Sequence, residues 1–185
     1  EMNTRLVGSE MRIRDRTKQY LASETENIEE MNKLIEWLPA NIPEDDATSI
    51  VHGDFRLDNM IYCDQKVAGV LDWELSTLGH PVADFCYHCL TWRTLPDFYD
   101  HKKLDELGIP TEIQYRDMYS ETTGKDLSQD WDFYMVYSLF KVAAICQGIL
   151  GRVRDGTAAS KHAEERGRNV FPLSKGAWSI VETNF

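Results

Sequence analysis

The sequence predicts a mainly helical α+β fold. Apolar residues recur at helical spacing over most of the chain, and the period shortens to that of strands only between residues 49 and 72. No long Gly-, Pro- or Ser-rich linker divides the 185 residues, so one domain is expected: a helical body with a small β insert.

Taken in order, residues 1–10 show no strong pattern, and 12–23 are charged and helix-permissive. Across 28–38, Ile28, Met31, Leu34, Ile35 and Leu38 form an apolar stripe opposite Glu29, Glu30, Lys33 and Glu36. Pro39 and Pro43 are expected to stop that helix, with a surface turn over 43–46. Short strands are expected at 49–52, 60–63 and 67–71, the last two joined by a turn at Asp64-Gln65-Lys66. Pro81 suits the first position of a helix reaching about Trp92. Residues 95–108 are expected as a loop with at most one helical turn, followed by a helix over 110–123 that ends before Gly124. The strongest stripe (Trp131, Met135, Leu139, Val142, Ala143, Cys146, Ile149, Leu150) predicts a central core helix over 130–152. A last helix over 158–181 is expected to bend near Pro172.

Twenty Lys and Arg against 31 Asp and Glu give a net charge of −11, spread along the chain. That balance argues against a nucleic-acid partner, which needs a basic face, and against docking on an anionic membrane. No apolar run approaches ~18 residues, so no membrane span is expected. Nor is a signal peptide visible at the N-terminus. Four cysteines are too few for a disulfide scaffold and point to a reducing compartment, the cytoplasm. A chain that starts at Glu1 is expected to be an interior piece of something longer.

Chemistry-bearing side chains concentrate on the β insert. Val51-His52-Gly53-Asp54-Phe55-Arg56-Leu57-Asp58-Asn59 is followed by Val70-Leu71-Asp72-Trp73-Glu74. A strand delivers His52-Gly53-Asp54 into a loop, Asn59 stands where the next strand begins, and a later strand ends in Asp72. Such a hairpin can converge Asp54, Asn59 and Asp72. Carboxylates and an amide carbonyl are the hard oxygen ligands that Mg²⁺ uses together with substrate phosphates. A carboxylate set slightly apart can take a proton from an attacking hydroxyl.

This spacing follows the phosphoryl-transfer logic of H-R-D-x-x-x-x-N followed by a later metal-binding Asp. The form here, H-G-D-x-x-x-x-N with L-D-W-E after it and Gly79-His80-Pro81-Val82-Ala83-Asp84 as a G-x-P-x-x-D segment, resembles the aminoglycoside phosphotransferase and choline kinase-like group. The runs HGDFRLDN and LDWELSTLG are most similar to the kinase-like domains associated with acyl-CoA dehydrogenases. The resemblance implies the C-terminal lobe of a protein kinase-like fold, its β insert carrying the catalytic loop. It implies a transferase that moves the γ-phosphate of ATP, with Mg²⁺, to a hydroxyl of a small molecule. Asp54 would be the catalytic base, and Asn59, Asp72 and Glu74 the metal ligands. His52 and Asp84 would support the loop, and Arg56 would contact phosphate or pair with a carboxylate such as Glu74. The subgroup suggests an acceptor in acyl-CoA or hydroxy-acid metabolism rather than an antibiotic.

No glycine-rich loop and no strand lysine precede His52, so the nucleotide lobe is expected to be absent from these residues, which would bind ATP poorly by themselves. The competing reading is a non-catalytic kinase-like binding module. Cys86-Tyr87-His88-Cys89 lacks the further ligands of a zinc site and sits on the apolar face of its helix, so packing is expected. Gly148-x-x-Gly151 is read as close helix packing rather than a phosphate loop.

Overall fold

A computed structural model of the chain describes residues 4–44, 47–94, 101–127 and 130–185. The expected turn at 43–46 and loop at 95–108 lie partly outside them. Helix α1 (Thr4–Ser23) begins well before the charged stretch that predicted it. Helix α2 (Glu29–Ala40) buries Met31, Leu34 and Leu38 and runs one residue past Pro39. Its end is closed by Asn41, whose backbone N–H donates to the Leu38 carbonyl and whose Nδ2 donates to that of Trp37 at 2.7 Å.

The insert holds two small antiparallel sheets. Strand β1 (Ser49–Val51) pairs with β4 (Thr77–Gly79), a strand the sequence pattern missed, and β2 (Met60–Cys63) pairs with β3 (Lys66–Val70). Cys63 faces Lys66 across a two-residue turn in which Asp64 and Gln65 both have positive φ (49° and 61°). That conformation matches strand twist, so Lys66 belongs to the strand rather than to the turn.

The rest is helical: α3 (Pro81–Cys89), α4 (Thr91–Thr94), α5 (His101–Glu106), α6 (Glu112–Thr123), α7 (Trp131–Arg154), α8 (Ala163–Gly167) and α9 (Val170–Asn184). Helix α6 opens with a reciprocal cap between Thr111 and Gln114 and closes on Gly124 in the left-handed region. The last helical stretch breaks at 168–169 rather than at Pro172, which sits in the first turn of α9, where its missing N–H costs nothing.

Helix α7 is the axis, packed by α1, α3, α8 and α9. Trp131, Met135, Val136, Phe140 and Ala143 on it are shut off from solvent, and Cys86 and Cys89 pack in the same core. By length and composition α7 could cross a bilayer, but 61% of its apolar window is buried within the protein. Of the two α7 glycines, only Gly151 serves close packing. A Cβ there would lie 2.9 Å from that of Ser23 in α1, whereas Gly148 faces open space apart from the Arg152 side chain.

Candidate active site

Register and sequence together place the loop that follows β1. Ser49 pairs with Gly79, so the chain leaves β4 at the start of β1, and α3, from Pro81, packs back along β1 toward the loop that follows it. From the first turn of α3 the Asp84 carboxylate accepts the backbone N–H of His52 on Oδ2 and that of Gly53 on Oδ1, the latter at 2.9 Å. Two loop amides are thereby satisfied by one anion at a helix N-terminus, where the helix dipole favours negative charge. Gly53 has φ +84°, and a Cβ on it would sit 2.5 Å from the Leu75 carbonyl oxygen, so only glycine fits the middle of His-Gly-Asp.

His52 is buried and tied at both ring nitrogens. Its Nδ1 accepts the Asp54 backbone N–H at 3.2 Å, which requires Nε2 to carry the proton it donates to the Leu71 carbonyl at 2.6 Å. The ring thus joins the Asp54 loop to the end of β3, just before Asp72. It also packs against Trp73 with centroids 4.7 Å apart.

Asp54 meets donors on both carboxylate oxygens. Tyr87 on α3 donates its hydroxyl to Oδ1 at 2.9 Å. Asn59 donates Nδ2 to Oδ2 and to the Asp54 backbone carbonyl, both at 2.9 Å. Arg56 places Nε 3.3 Å from Oδ2 and Nη1 3.2 Å from Asp58. Burial alone would raise the Asp54 pKa. The bonds from Tyr87 and Asn59, with the charges of Arg56 and Lys141, outweigh it and hold the group below the ordinary carboxylate value. Lys141, midway along α7, donates Nζ to the Gly53 carbonyl and lies 3.9 Å from the Tyr87 ring centroid.

Asn59 is buried, and its side-chain bonds to Asp54 use Nδ2, which leaves the carbonyl oxygen as the atom able to meet a cation. Met60 pairs with Val70, and the Leu71 N–H donates to the Asn59 carbonyl at 2.8 Å, so Asn59 and Asp72 emerge at the same end of the hairpin. Asp72 is exposed at φ 65° and ψ 52°, a left-handed conformation that Asp tolerates, and Glu74 is exposed in the 3₁₀ turn Trp73–Leu75. Among the described residues no three His, Cys, Asp or Glu side chains gather into a metal cluster. The donor set fits Mg²⁺ all the same. One amide oxygen and one or two carboxylates are what that ion takes from protein when water and phosphate complete its shell.

The structure therefore brings Asp54, Asn59 and Arg56 into contact, and ties His52 and Asp84 to the same loop. Asp72 and Glu74 are exposed, and Asp72 leaves the hairpin at the end where Asn59 sits. Of the partners expected for Arg56, the observed carboxylates are Asp54 and Asp58 rather than Glu74. Sequence reasoning missed Tyr87 and Lys141. Tyr87 follows Asp84 by three residues and so shares its helical face, while Lys141 is the only charged residue between Asp132 and Arg152.

Comparison with known proteins bears on this geometry. The protein resembles mouse "Acyl-CoA dehydrogenase family member 10" at 43% identity over 172 residues, 89% of this chain and 16% of that protein. Its human relative "Acyl-CoA dehydrogenase family member 11" is 34% identical over 176 residues, 91% of this chain and 23% of that protein. The chain thus spans less than a quarter of either. A crystal structure of a candidate aminoglycoside phosphotransferase from Ralstonia eutropha superposes with a TM-score of 0.85 at 45% identity, covering 94% of this chain and 55% of that one. A profile of the phosphotransferase enzyme family matches residues 5–136, from α1 through the loop and the insert into α7. The chain belongs to the phosphotransferase enzyme family and has its kinase-like fold.

Proposed function

We propose that this chain carries the acceptor- and metal-side half of a small-molecule kinase that transfers the γ-phosphate of ATP to a hydroxyl. The observation that carries the reading is Asp54, an ionised carboxylate at the tip of a loop fixed from several sides and in contact with Asn59. In the reaction Asp54 takes the proton of the acceptor O–H as its oxygen bonds to the γ-phosphorus, and the bond from that phosphorus to the bridging oxygen breaks to release ADP. Asp84, His52 and Gly53 fix the loop so that the carboxylate is held where the hydroxyl must arrive. Asn59 and Asp72, with Glu74 beside them, would hold Mg²⁺, which when bound neutralises charge on the phosphates. The grip on the nucleotide is assigned to residues outside this chain.

The relatives are named for acyl-CoA dehydrogenases and the crystallised neighbour for an aminoglycoside phosphotransferase; the acceptor proposed here is a hydroxy acid or hydroxyacyl-CoA, with an aminoglycoside as the alternative. A cytoplasmic setting without nucleic acid or membrane remains part of this reading, on the charge and cysteine content alone. The test is ADP release from Mg·ATP by the protein that carries these residues, across hydroxy acids, hydroxyacyl-CoAs and aminoglycosides. Asp54→Ala is expected to lose ~10²–10⁴-fold in turnover. Undiminished turnover in Asp54→Ala overturns the assignment, and failure to bind nucleotide or phosphorylate any acceptor establishes the binding module instead.

A further inference from the structure

We propose that Tyr87 and Lys141 are positioning residues for Asp54, which hold its carboxylate in one rotamer facing the acceptor hydroxyl. The inference rests on the reading of Asp54 as the proton acceptor.

Tyr87 and Lys141 reach the loop from different helices, and each grips a different part of it. The Tyr87 hydroxyl takes Oδ1 at 2.9 Å, opposite Asn59 on Oδ2, so the carboxylate cannot turn about χ1 without breaking a bond on each side. Lys141 serves both partners at once. Its ammonium lies 3.9 Å from the Tyr87 ring centroid and donates to the Gly53 carbonyl, one residue before Asp54. Ring and backbone are thus referred to one point on α7.

The chemistry of the two groups suits the task. Burial first, then the Asp54 charge and its hydrogen bond, push the Tyr87 phenol well above its ordinary pKa, so it stays a donor. Burial, with Arg16 and Arg12 nearby, pulls Lys141 down to about 8 against the opposing pull of Asp54 and Asp84. A packing role on an apolar helix would be met by Leu or Met, and a partly buried cation is costly to keep. Here the cation is spent on a carbonyl and an aromatic face behind the loop. A base must lie within hydrogen-bond reach and correctly aligned when the hydroxyl arrives, so a wandering Asp54 rotamer costs turnover rather than substrate affinity.

The first test uses NMR on this chain. The Hα–Hβ couplings of Asp54 are expected to be unequal, as in a single χ1 rotamer, and to average in Tyr87→Phe and in Lys141→Met. Lys141→Arg, which keeps a cation over the ring and a donor to Gly53, is expected to retain the single rotamer. Tyr87→Phe removes one oxygen and leaves packing in place, so it decides the matter if Lys141→Met fails to fold. Single-rotamer couplings in Tyr87→Phe overturn the proposal. In turnover of Mg·ATP by the protein that carries these residues, Tyr87→Phe is expected to lower kcat about tenfold with KM for ATP unchanged. An unchanged kcat overturns it as well. Full activity in Asp54→Ala would instead defeat the base assignment, whatever the couplings show.

Discussion

Helix α7 and the β insert both carry large apolar side chains, yet the two regions stand in opposite environments. On α7, Trp131, Phe133, Met135, Val136, Leu139 and Phe140 are at most 4% exposed. On the insert, Ile50 (72%) and Leu78 (63%) face each other across β1 and β4 toward solvent, and Leu71, Trp73 and Leu75 are about half exposed. The helical body therefore packs itself. The insert holds its shape through polar ties to backbone: Asp84 to two loop amides, His52 to Leu71, and Arg12 of α1 to the Leu78 carbonyl at 3.0 Å. Stability lies mainly in one region and the reactive loop in the other, and Asp84, Tyr87, Lys141 and Arg12 of the helical body tie the two together.

Substitutions in the two regions should differ accordingly. The largest effect is expected at the axis, where Phe140→Ala should cost ~3–5 kcal/mol in chemical denaturation, because it opens a cavity in a core with nothing to refill it. Lys141 should give an intermediate effect that depends on pH. Its folded pKa, about 8, lies below the unfolded value of 10.5, so between them the unfolded chain binds more protons and stability rises with pH. The unfolding free energy of wild type minus that of Lys141→Met should therefore climb by about 2 kcal/mol from pH 8 to pH 10. A flat difference would place the ammonium in water rather than behind the loop. The smallest effect belongs to the insert surface, where Ile50→Ser or Leu78→Ser should stay within about 0.5 kcal/mol of wild type. A loss several times larger would mean that this face is covered.

What the sequence revealed divides along the same line. Helix α7 was legible because its apolar residues recur every three or four positions over 24 residues, and burial follows that period. The contact of Asp54 with Asn59 was legible because only four residues separate them, the last two within a 3₁₀ turn that ends at Asn59. Strand β4 was not: Thr77-Leu78-Gly79 is too short for a period, and β1, its strand partner among the described residues, is some thirty residues earlier. The early start of α1 escaped for want of an apolar stripe. Tyr87 and Lys141 escaped for a related reason. Their bonds to the loop span 33 and 88 residues of chain, and no local pattern records a meeting that only the packing of α3 against α7 brings about.

The crowding at Gly53 has a mechanical consequence. Its α-carbon lies against the Leu75 carbonyl, while the neighbouring His52 ring is bonded to the Leu71 carbonyl, so the stretch between Leu71 and Leu75 is keyed into the loop at both ends. Asp72 rides on that stretch and Asp54 on the loop. If the exposed hairpin tilts as a lever, the two carboxylates travel together as one jaw, and the spacing between the proton-accepting side and the cation side survives the swing.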